Sequence, residues 1–359
     1  MECQMQHGLD VRGVGPLDNC LPAEQCLSIA HLPIKEYDSQ AVNFSAQVLA
    51  EAGTGPCIYH FHGLSPWSDQ LAKNLKVAAI PYVFTSHGQL HFHGPVHGLK
   101  KFAYLNFLNP FIRDAGGLHF LTRREQQRSK YILPRWRKSL LVQPNLVQLP
   151  ASQEVTSAVR STLGIPPEAF VYIYLGRLDV VHKGLDFLVE AFASVSRDDK
   201  SALVMIGPDF AGGRQFLEQL ASKLGCAQRV HFLGSQVGPI KWSYLKMADA
   251  FVSPSRWEAC SIAQAEAIGF GLPTVVSDEI NIAPEMLANH AALVAPLKAS
   301  ALAGAMQRLM QDEALRKSLS ASGRRWVAEA FSFENAGPRF TQFYRQVLQP
   351  DSQAGSRDV

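Results

Sequence analysis

The sequence predicts an α/β protein with two domains, each built on a parallel sheet. From about residue 56 onward, apolar strands alternate with segments of helical periodicity, which is typical of βαβ units with right-handed crossovers. The chain has 359 residues, more than one hydrophobic core usually accommodates. We therefore predict two domains, a closing helix and a disordered tail. Their predicted ranges are 1–148, 165–335, 336–348 and 349–359.

The composition excludes several classes of protein. Apolar residues make up 47% of the chain and the net charge is +3, which is too small to indicate nucleic-acid binding. The sequence has no signal peptide and no apolar run long enough to span a membrane. Its six cysteines are scattered without CxxC spacing, so we interpret them as free thiols of a cytoplasmic protein.

The predicted elements of the first domain follow short runs of aromatic and β-branched residues that are separated by Gly, Pro and polar turns. The strands are predicted at 57–61, Tyr82–Thr85, 118–121 and Ser139–Val142. The helices between them are predicted at 66–78, 99–112 and 124–131. A linker with a helix at roughly 146–168 leads to the second domain.

The second domain repeats this alternation. Its strands are predicted at 171–175, 202–206, 230–233, Ala250–Ser253, 273–277 and 292–295. Helices occupy the intervals and the stretch from 299 to about 330, and a last helix is predicted at 338–348.

The most informative stretch is 244–278, where two βα units meet. Ser261 and Gln264 form a capping-box pattern, which places a helix start shortly after Glu258. Free backbone N–H groups and the helix dipole at such a start favour a phosphate group. The sequence therefore predicts an anion site at this helix start.

Two carboxylates flank the predicted anion site. Glu258 precedes the helix and Glu266 lies inside it, so they are about 10 Å apart at ~1.5 Å rise per helical residue. Carboxylates accept hydrogen bonds from paired sugar hydroxyls. The spacing fits a nucleotide-diphosphate sugar, which has hydroxyls at both ends and the diphosphate between them. The alternative interpretation is a pair of solvated glutamates.

A second segment supports the nucleotide-sugar interpretation. The strand at 171–175 leads into a loop that contains Arg177 and Lys183. Both cations follow the carboxyl end of a strand, which is where open α/β sheets bind ligands. A guanidinium grips phosphate oxygens in a bidentate manner and an ammonium adds a point charge, which suits a departing diphosphate.

The combined motifs resemble glycosyltransferase family 4, the retaining sugar transferases with the GT-B fold. The resemblance rests on the two glutamates with seven residues between them, on GRLxxxxKGxDxLxxAF from residue 176, and on the matching strands of the second domain. The chain looks most like the bacterial group 1 transferases of polysaccharide and lipopolysaccharide synthesis. The resemblance implies two Rossmann-like domains that face each other across a cleft.

The resemblance also implies the reaction. A hexosyl unit moves from a nucleotide-diphosphate sugar to a glycan or lipid-linked acceptor, with retention of anomeric configuration. The donor is a substrate, and no cofactor or metal is implied. The expected setting is cell-surface polysaccharide synthesis, in the cytoplasm or at the inner face of the membrane.

The family's functional residues map onto individual positions. The resemblance implies that Arg177 and Lys183 stabilise the diphosphate, that Glu258 holds the sugar hydroxyls and that Glu266 holds the ribose. It also implies that Gly234 offers its backbone to the base and that His87, in a Thr-Ser-His-Gly segment, orients the sugar or the acceptor. The alternative for His87 is a histidine that only closes the turn after a strand. The rest of the donor loop comprises Ala259, Cys260, Ser261 and Ile262.

The donor loop departs from the family's usual Glu-Gly-Phe-Gly pattern. Ala259, Cys260 and Ser261 follow Glu258, and their side chains predict a narrower site with altered donor choice or slower turnover. We interpret Cys260 as a packing residue because no candidate base is near it in sequence.

The start of the chain also differs from the family. Residues 1–26 show no convincing period, only 27–31 resembles a strand, and Gly13-Val14-Gly15-Pro16 has no apolar strand before it. The family opens with a strand and a Gly-rich loop, so we interpret this start as irregular and shortened. That interpretation leaves a catalytically weak or inactive GT-B subunit as an alternative function. A nucleotide-sugar epimerase and a glycoside phosphorylase of the same fold are further alternatives.

Two other features have competing interpretations. His60, His62 and His87 are followed by histidines at 91, 93 and 97. Without a carboxylate or cysteine partner these histidines predict no metal site, and a metal hydrolase is the weakest alternative.

A basic stretch with Tyr131 and Trp136 suits an anionic membrane surface or a solvated face. Its cations are Arg123, Arg124, Arg128, Lys130, Arg135, Arg137 and Lys138.

Overall fold

The computed structural model describes residues 13–16, 34–37, 57–64, 66–90, 110–134, 136–150, 159–195 and 201–349. The chain divides into two compact units. The first unit consists of Met1–Pro144 together with Phe333–Val359, and the second unit consists of Asn145–Ser332. Each unit contains a parallel sheet with connecting helices, as the sequence predicts.

The strands of the first unit are β1 (Gly13–Pro16), β2 (Ile34–Tyr37), β3 (Tyr59–His62), β4 (Tyr82–Thr85), β5 (Gly117–Phe120) and β6 (Ser139–Val142). The helices that precede the second unit are α1 (Pro66–Val77), α2 (Pro110–Asp114) and α3 (Arg123–Ile132).

The strands of the second unit are β7 (Phe170–Leu175), β8 (Ser201–Ile206), β9 (Val230–Phe232), β10 (Ala250–Ser253), β11 (Thr274–Ser277) and β12 (Leu293–Ala295). Its helices are α4 (Val159–Thr162), α5 (Val180–Lys183), α6 (Leu185–Val195), α7 (Gly213–Lys223), α8 (Gly238–Met247), α9 (Ile262–Phe270), α10 (Ala283–Ala288), α11 (Ala299–Gln311) and α12 (Glu313–Ala330). The chain then returns to the first unit as α13 (Phe333–Leu348).

The main sheet of the first unit has the order β3-β4-β5-β6, with all neighbours parallel. Both central strands, β4 and β5, are buried throughout, which explains their continuous apolar runs. Leu71 and Leu75 of α1 pack with Phe84, Phe111 and Leu118 to form the core on one side of this sheet.

Helix α13 packs against the start of β5. A Cβ atom at Gly117 would lie 2.7 Å from the ring of Phe343, and one at Gly116 would lie 2.6 Å from the side chain of Val347. Only glycine allows α13 to approach the strand this closely. The helix begins at Phe333, five residues before the predicted start, because Pro338 lies inside it rather than at its first turn.

The sheet of the second unit has the order β9-β8-β7-β10-β11-β12. The chain winds outward from β7 in one direction and from β10 in the other, which is the doubly wound arrangement of dinucleotide-binding domains. Ligands of such sheets bind beyond the carboxyl ends of the strands where the winding direction changes. This point lies between β7 and β10.

Some predictions about the fold need correction or fall outside the described residues. The start of the chain is not irregular throughout, because β1 pairs with β2 as a two-stranded parallel sheet. The predicted strand at 27–31, most of the predicted helix at 99–112 and the predicted tail beyond residue 349 lie outside the described ranges. None of the helices in the described ranges has the length and apolar character needed to cross a membrane.

Candidate functional site

Two loops meet at the point where the winding of the second sheet changes direction. The loop after β7 contains α5, which is capped by Asp179 and ends at Gly184 in the left-handed conformation, with φ +65°. A Cβ atom at Gly184 would collide with the carbonyl oxygen of Pro254, just after β10. Glycine at this position therefore lets the loops after β7 and β10 come into contact.

Lys183 and Glu258 form an ion pair across this loop contact. Nζ of Lys183 donates to Oε2 of Glu258, and each side chain is only 14% exposed. The backbone carbonyl of Glu258 also accepts a hydrogen bond from Asn281 N at 3.0 Å, which fixes the loop from its other side. The structure thus joins two residues that the sequence places in separate motifs.

Arg177 lies in the same loop and remains half exposed. Its guanidinium lies 3.9 Å from Asp179 Oδ2 and 4.7 Å from the ring centre of Phe210. Its backbone carbonyl accepts a hydrogen bond from the Tyr174 hydroxyl at 2.9 Å. Burial, followed by the nearby charge of Glu258, raises the pKa of Tyr174, so this hydroxyl stays protonated and keeps donating.

His182 was not predicted as a site residue, yet it lies beside the ion pair. Its ring stacks on Trp257 with centres 5.3 Å apart and planes at 21°. Nδ1 lies 3.7 Å from Asp179 Oδ2, and Nε2 is buried without a hydrogen-bond partner among the described residues. Burial, followed by the charge of Lys183, lowers the pKa of His182. Its imidazole is therefore neutral at pH 7.

The predicted helix start after Glu258 is present, but its capping box is only half formed. Ser261 Oγ accepts a hydrogen bond from Gln264 N at 3.4 Å, whereas the Gln264 side chain donates to Ser253 Oγ at 2.9 Å instead of reaching back to the cap. Ile262, the first residue of α9, is 50% exposed. The helix start therefore has its predicted cap and an accessible first turn.

The donor-loop residues Ala259 and Cys260 are buried at 7% and 6% exposure. The Cys260 carbonyl accepts a hydrogen bond from Asn145 Nδ2 at 3.0 Å. Their side chains therefore face the protein rather than an open site, and burial of Cys260 agrees with a packing role.

Glu266 also pairs with a lysine, but with a different one. Its Oε1 accepts from Lys241 Nζ at 2.8 Å, and the two side chains are 13% and 19% exposed. The same ammonium lies 4.2 Å from the ring centre of Trp242. Because α8 supplies this lysine, the spacing between the two glutamates did not reveal it.

Gly234 lies just beyond the carboxyl end of β9. Its φ is +65°, and its carbonyl accepts a hydrogen bond from Gly207 N at 2.8 Å at the end of β8. A Cβ atom at this position would meet no other atom within 4 Å. The backbone of Gly234 therefore borders open space at the edge of the sheet.

His87, the site residue predicted in the first unit, lies in the turn after β4. It is a non-glycine residue in the left-handed region, with φ +43°. Its Nε2 lies 3.0 Å from Nδ1 of His62, and the two ring centres are 5.3 Å apart. Burial lowers the pKa of His87, and desolvation together with the His87 charge lowers that of His62, although the His62 residue retains exposed surface. Both rings are neutral at pH 7.

A chain of buried hydrogen bonds continues behind these rings. Thr85 Oγ1 lies 2.5 Å from His60 Nε2 and 2.8 Å from His119 Nδ1, and His119 Nε2 donates to the carbonyl of Gln143 at 2.8 Å. The opposite nitrogen of His60 lies 2.8 Å from the Tyr344 hydroxyl of α13. Among the described residues, no group of three or more His, Cys, Asp or Glu side chains could hold a metal ion. The histidines at 91, 93 and 97 lie outside the described ranges.

Comparison with known proteins finds a family that the second unit resembles. Residues 156–326 match the family model of glycosyl transferases group 1. This segment is therefore similar to group 1 glycosyl transferases. The match covers nearly the whole second unit and includes Arg177, Lys183, Glu258 and Glu266.

Curated proteins similar to this chain include LpsD of Rhizobium meliloti, a lipopolysaccharide core biosynthesis glycosyltransferase. It is 33% identical over 200 residues, which cover 55% of this chain and 54% of LpsD. The chain spans about half the length of the first curated relatives it matches.

Solved structures show the same fold over most of the chain. HepE from Anabaena superposes with a TM-score of 0.76 at 18% identity, covering 93% of this chain and 91% of HepE. Sucrose-phosphate synthase from Thermosynechococcus elongatus superposes with a TM-score of 0.69 at 21% identity, covering 86% and 77% of the two chains. These likenesses confirm the predicted GT-B fold.

Within the second unit, the structure brings only some of the predicted residues into direct contact. Lys183 and Glu258 touch, Arg177 lies in the same loop, and Glu266 has a separate lysine partner. The missed partners Lys241 and His182 had weak sequence signals, because each is one basic residue among many and only the packing of helices selects it.

Proposed function

We propose that the chain is a retaining glycosyltransferase that moves a hexosyl unit from a nucleotide-diphosphate sugar to a glycan or lipid-linked acceptor. The observation that carries this proposal is the Lys183–Glu258 pair beside the half-exposed Arg177, within a segment that is similar to group 1 glycosyl transferases. Two cations and a carboxylate at the change of winding direction suit a ligand that has both phosphate oxygens and sugar hydroxyls.

Each residue has a proposed role toward the donor. Arg177 and Lys183 bind the diphosphate, and the first turn of α9 at Ser261 and Ile262 offers backbone N–H groups to it. Glu258, whose Oε1 is not used by Lys183, accepts bonds from sugar hydroxyls. Glu266 holds the ribose in the same way.

The remaining donor contacts are proposed for backbone atoms. Gly234 borders open space and can present its backbone to the base. Since the side chains of Ala259 and Cys260 are buried, those residues can contact the donor only through their backbone.

In the proposed reaction, the bond between the anomeric carbon and the diphosphate oxygen breaks while a bond forms, on the same face, between that carbon and the oxygen of the acceptor hydroxyl. The proton of this hydroxyl passes to the departing diphosphate. Negative charge grows on the departing diphosphate, where the two cations lower the energy of the transition state more than that of the ground state. Because these two residues supply that positive charge, we propose no further metal or cofactor. Transfer should therefore survive exhaustive chelation with EDTA.

His87 is the proposed contribution of the first unit. A neutral imidazole can donate one hydrogen bond and accept another, so it suits the hydroxyls of a sugar or an acceptor better than a diphosphate. Its lowered pKa keeps it in this neutral form at pH 7.

The acceptor is proposed to belong to cell-surface polysaccharide synthesis, since LpsD is named for lipopolysaccharide core biosynthesis. The HepE structures hold UDP or UDP-glucose, which supports a nucleotide sugar as donor. We place the reaction in the cytoplasm, at the inner face of the membrane.

A basic surface of the first unit is proposed to contact that membrane. Lys130 and Arg137 are exposed, and Tyr131 and Leu140 beside them are 76% and 41% exposed. Cations with interleaved apolar side chains suit anionic lipid headgroups. Lys138 adds less, because it donates to two backbone carbonyls. Sedimentation with phosphatidylserine vesicles should capture the protein at low salt and release it at high salt. No capture at low salt would contradict the contact.

The central experiment is a panel of nucleotide sugars, each tested for thermal stabilisation of the protein and for slow donor hydrolysis. One donor should raise the melting temperature and release its nucleoside diphosphate. A sugar product with an inverted ring hydroxyl would favour the epimerase, and the absence of any stabilisation would favour a subunit that has the fold without the reaction.

A further inference from the structure

The turn that contains His87 has an unusual backbone. His87 and Gly88 both have positive φ, at +43° and +79°. A non-glycine residue in the left-handed region persists only where its surroundings hold it there. The groups that hold this turn are therefore relevant to what His87 does.

One buried carboxylate binds the residues on both sides of His87. Oε1 of Glu125 accepts hydrogen bonds from Ser86 Oγ and from Gly88 N, the latter at 2.6 Å. Oε2 accepts a further bond from Leu121 N at 2.7 Å. Glu125 is 2% exposed and Ser86 is 1% exposed, so water cannot substitute for these bonds.

Glu125 is itself fixed at the first turn of α3. Its backbone N donates to the side chain of Thr122, the N-cap of that helix, at 3.1 Å. Thr122 alone would suffice to cap the helix, whereas burying a carboxylate is unfavourable unless its bonds compensate. Two of the additional bonds reach the turn of His87 after β4, far from α3 in sequence.

A second group fixes the ring. Nδ1 of His62 lies 3.0 Å from Nε2 of His87, so one of the two nitrogens donates and the other accepts. That assignment also decides whether the remaining nitrogen of His87, Nδ1, donates a hydrogen bond to a ligand or accepts one from it. Gln89 adds a tie, because its side-chain oxygen accepts a hydrogen bond from Leu64 N beyond β3.

We propose that Glu125 and His62 are positioning residues for His87. Glu125 fixes the backbone of the turn through Ser86 and Gly88, and His62 fixes the orientation and tautomer of the ring. The inference rests on the proposed function, in which His87 contacts the sugar or the acceptor.

The test compares Glu125→Gln with the matched control Asp114→Asn. Glutamine keeps the shape of the side chain, but its NH2 group must face one of the donors Gly88 N or Leu121 N, so at least one bond is lost. Asp114 lies in the same unit, where it pairs with Lys76 and Arg113 and makes no bond to the turn.

Steady-state transfer supplies the first measurement. For Glu125→Gln we expect kcat to fall about 10- to 100-fold while KM for the donor stays within about 2-fold, since a misplaced group of this kind costs up to ~100-fold in rate. Asp114→Asn should stay within about 2-fold of the parent in both constants. A Glu125→Gln protein with parental kcat would overturn the inference.

The second measurement uses the free protein and reports on His87 directly. The imidazole resonances of His87 are followed by NMR across pH 5 to 8. Their chemical shifts in Glu125→Gln and in His62→Ala should differ from those of the parent protein. His62→Gln, which keeps a side-chain hydrogen-bond partner, should restore part of the parental signal. Unchanged His87 resonances in both Glu125→Gln and His62→Ala would overturn the inference.

Two further features keep the test decisive. If Glu125→Gln does not fold, Ser86→Ala removes one donor to the carboxylate, and Ser68→Ala, an equally buried serine of the same unit, is its control. If the parent protein transfers no sugar, the proposed function fails, and the NMR measurement alone decides whether Glu125 and His62 position His87.

Discussion

The second unit places charged side chains at the carboxyl edge of its sheet, whereas the first unit places uncharged imidazoles at the carboxyl edge of its own. Lys183 and Glu258 form an ion pair in which each side chain is only 14% exposed. His87 and His119 are held neutral because burial lowers the pKa of each. The difference teaches that the same α/β frame can carry charged side chains in one unit and uncharged imidazoles in the other, which is the basis for proposing an anionic ligand at the first of these edges and neutral hydroxyls at the second.

The largest expected effect concerns Arg177, at the carboxyl edge of the sheet in the second unit. Arg177→Ala should reduce turnover on the order of 100-fold or more, about 2.7 kcal/mol, because the guanidinium has its ion-pair partner, Asp179, only at 3.9 Å among the described residues and is proposed to act on the diphosphate. Arg214→Ala, which removes another exposed arginine with an ion pair and an aromatic neighbour, is the control. A turnover for Arg177→Ala within a few-fold of the parent would remove it from the site.

Variants of the Lys183–Glu258 ion pair can distinguish a role in folding from a role in the reaction. Lys183→Met leaves Glu258 unpaired in a site with 14% exposure, so we expect the second unit to lose about 2 kcal/mol of stability, between the ranges for surface and buried pairs. The double variant Lys183→Met/Glu258→Gln should recover the melting temperature but not the transfer activity. Recovery of both would mean that the pair serves folding alone.

The buried neutral histidines of the first unit predict that the stability of this unit depends on pH. Burial lowers the pKa of His119 from its ordinary 6.5 to about 4, although the bond to Gln143 opposes this shift. Below pH 6.5 the unfolded chain therefore protonates His119, whereas the folded unit keeps this imidazole neutral until the pH approaches 4. The resulting stability is complete above pH 6.5 and is lost as the pH falls toward 4, by about 2 kcal/mol at pH 5.

Hydrogen exchange of amides in β4 and β5 can measure this loss. The free energy of opening should fall between pH 7 and pH 5 in the parent and should fall less in His119→Gln, which has no group that titrates at this position. His60, whose pKa burial also lowers, contributes to the same slope and remains in both proteins. An equal slope in both proteins would show that His119 is not responsible.

The smallest expected effect concerns Glu266. Lys241 holds one oxygen of this carboxylate, and a partly exposed pair of this kind is worth up to about 1 kcal/mol. Lys241→Met should therefore raise KM for the donor by up to about 5-fold and leave kcat unchanged. A fall in kcat without a change in KM would place Lys241 in the chemistry rather than beside the ribose.

Much of the fold was predictable because local sequence and buried position agree. The strands Tyr82–Thr85, Ser139–Val142 and Ala250–Ser253 have their predicted bounds, since each is an apolar run that ends at polar or turn-forming residues. The order of motifs also predicted that cations after β7 and a carboxylate after β10 would lie at the same sheet edge, and Lys183 and Glu258 do touch.

Side-chain partners were harder to predict because they depend on which elements pack together. Gln264 has the right spacing to close a capping box, but it bonds Ser253 in the neighbouring strand. Glu125 follows a helix cap and has no sequence feature that points to the turn of His87, 38 residues earlier in the chain. Such choices are decided by burial and tertiary packing, which a local pattern does not contain.

The return of α13 to the first unit has a consequence for synthesis. The first unit is complete only when Phe333–Leu348 has left the ribosome, because this helix supplies the Tyr344 hydroxyl to His60 and covers Gly116 and Gly117. All of Asn145–Ser332 is translated in between, which takes roughly ten seconds or more at about 5–20 residues per second. One face of the sheet in the nascent first half therefore stays uncovered while the second half is made and folds. Chaperones that bind apolar surface can act on it during that interval.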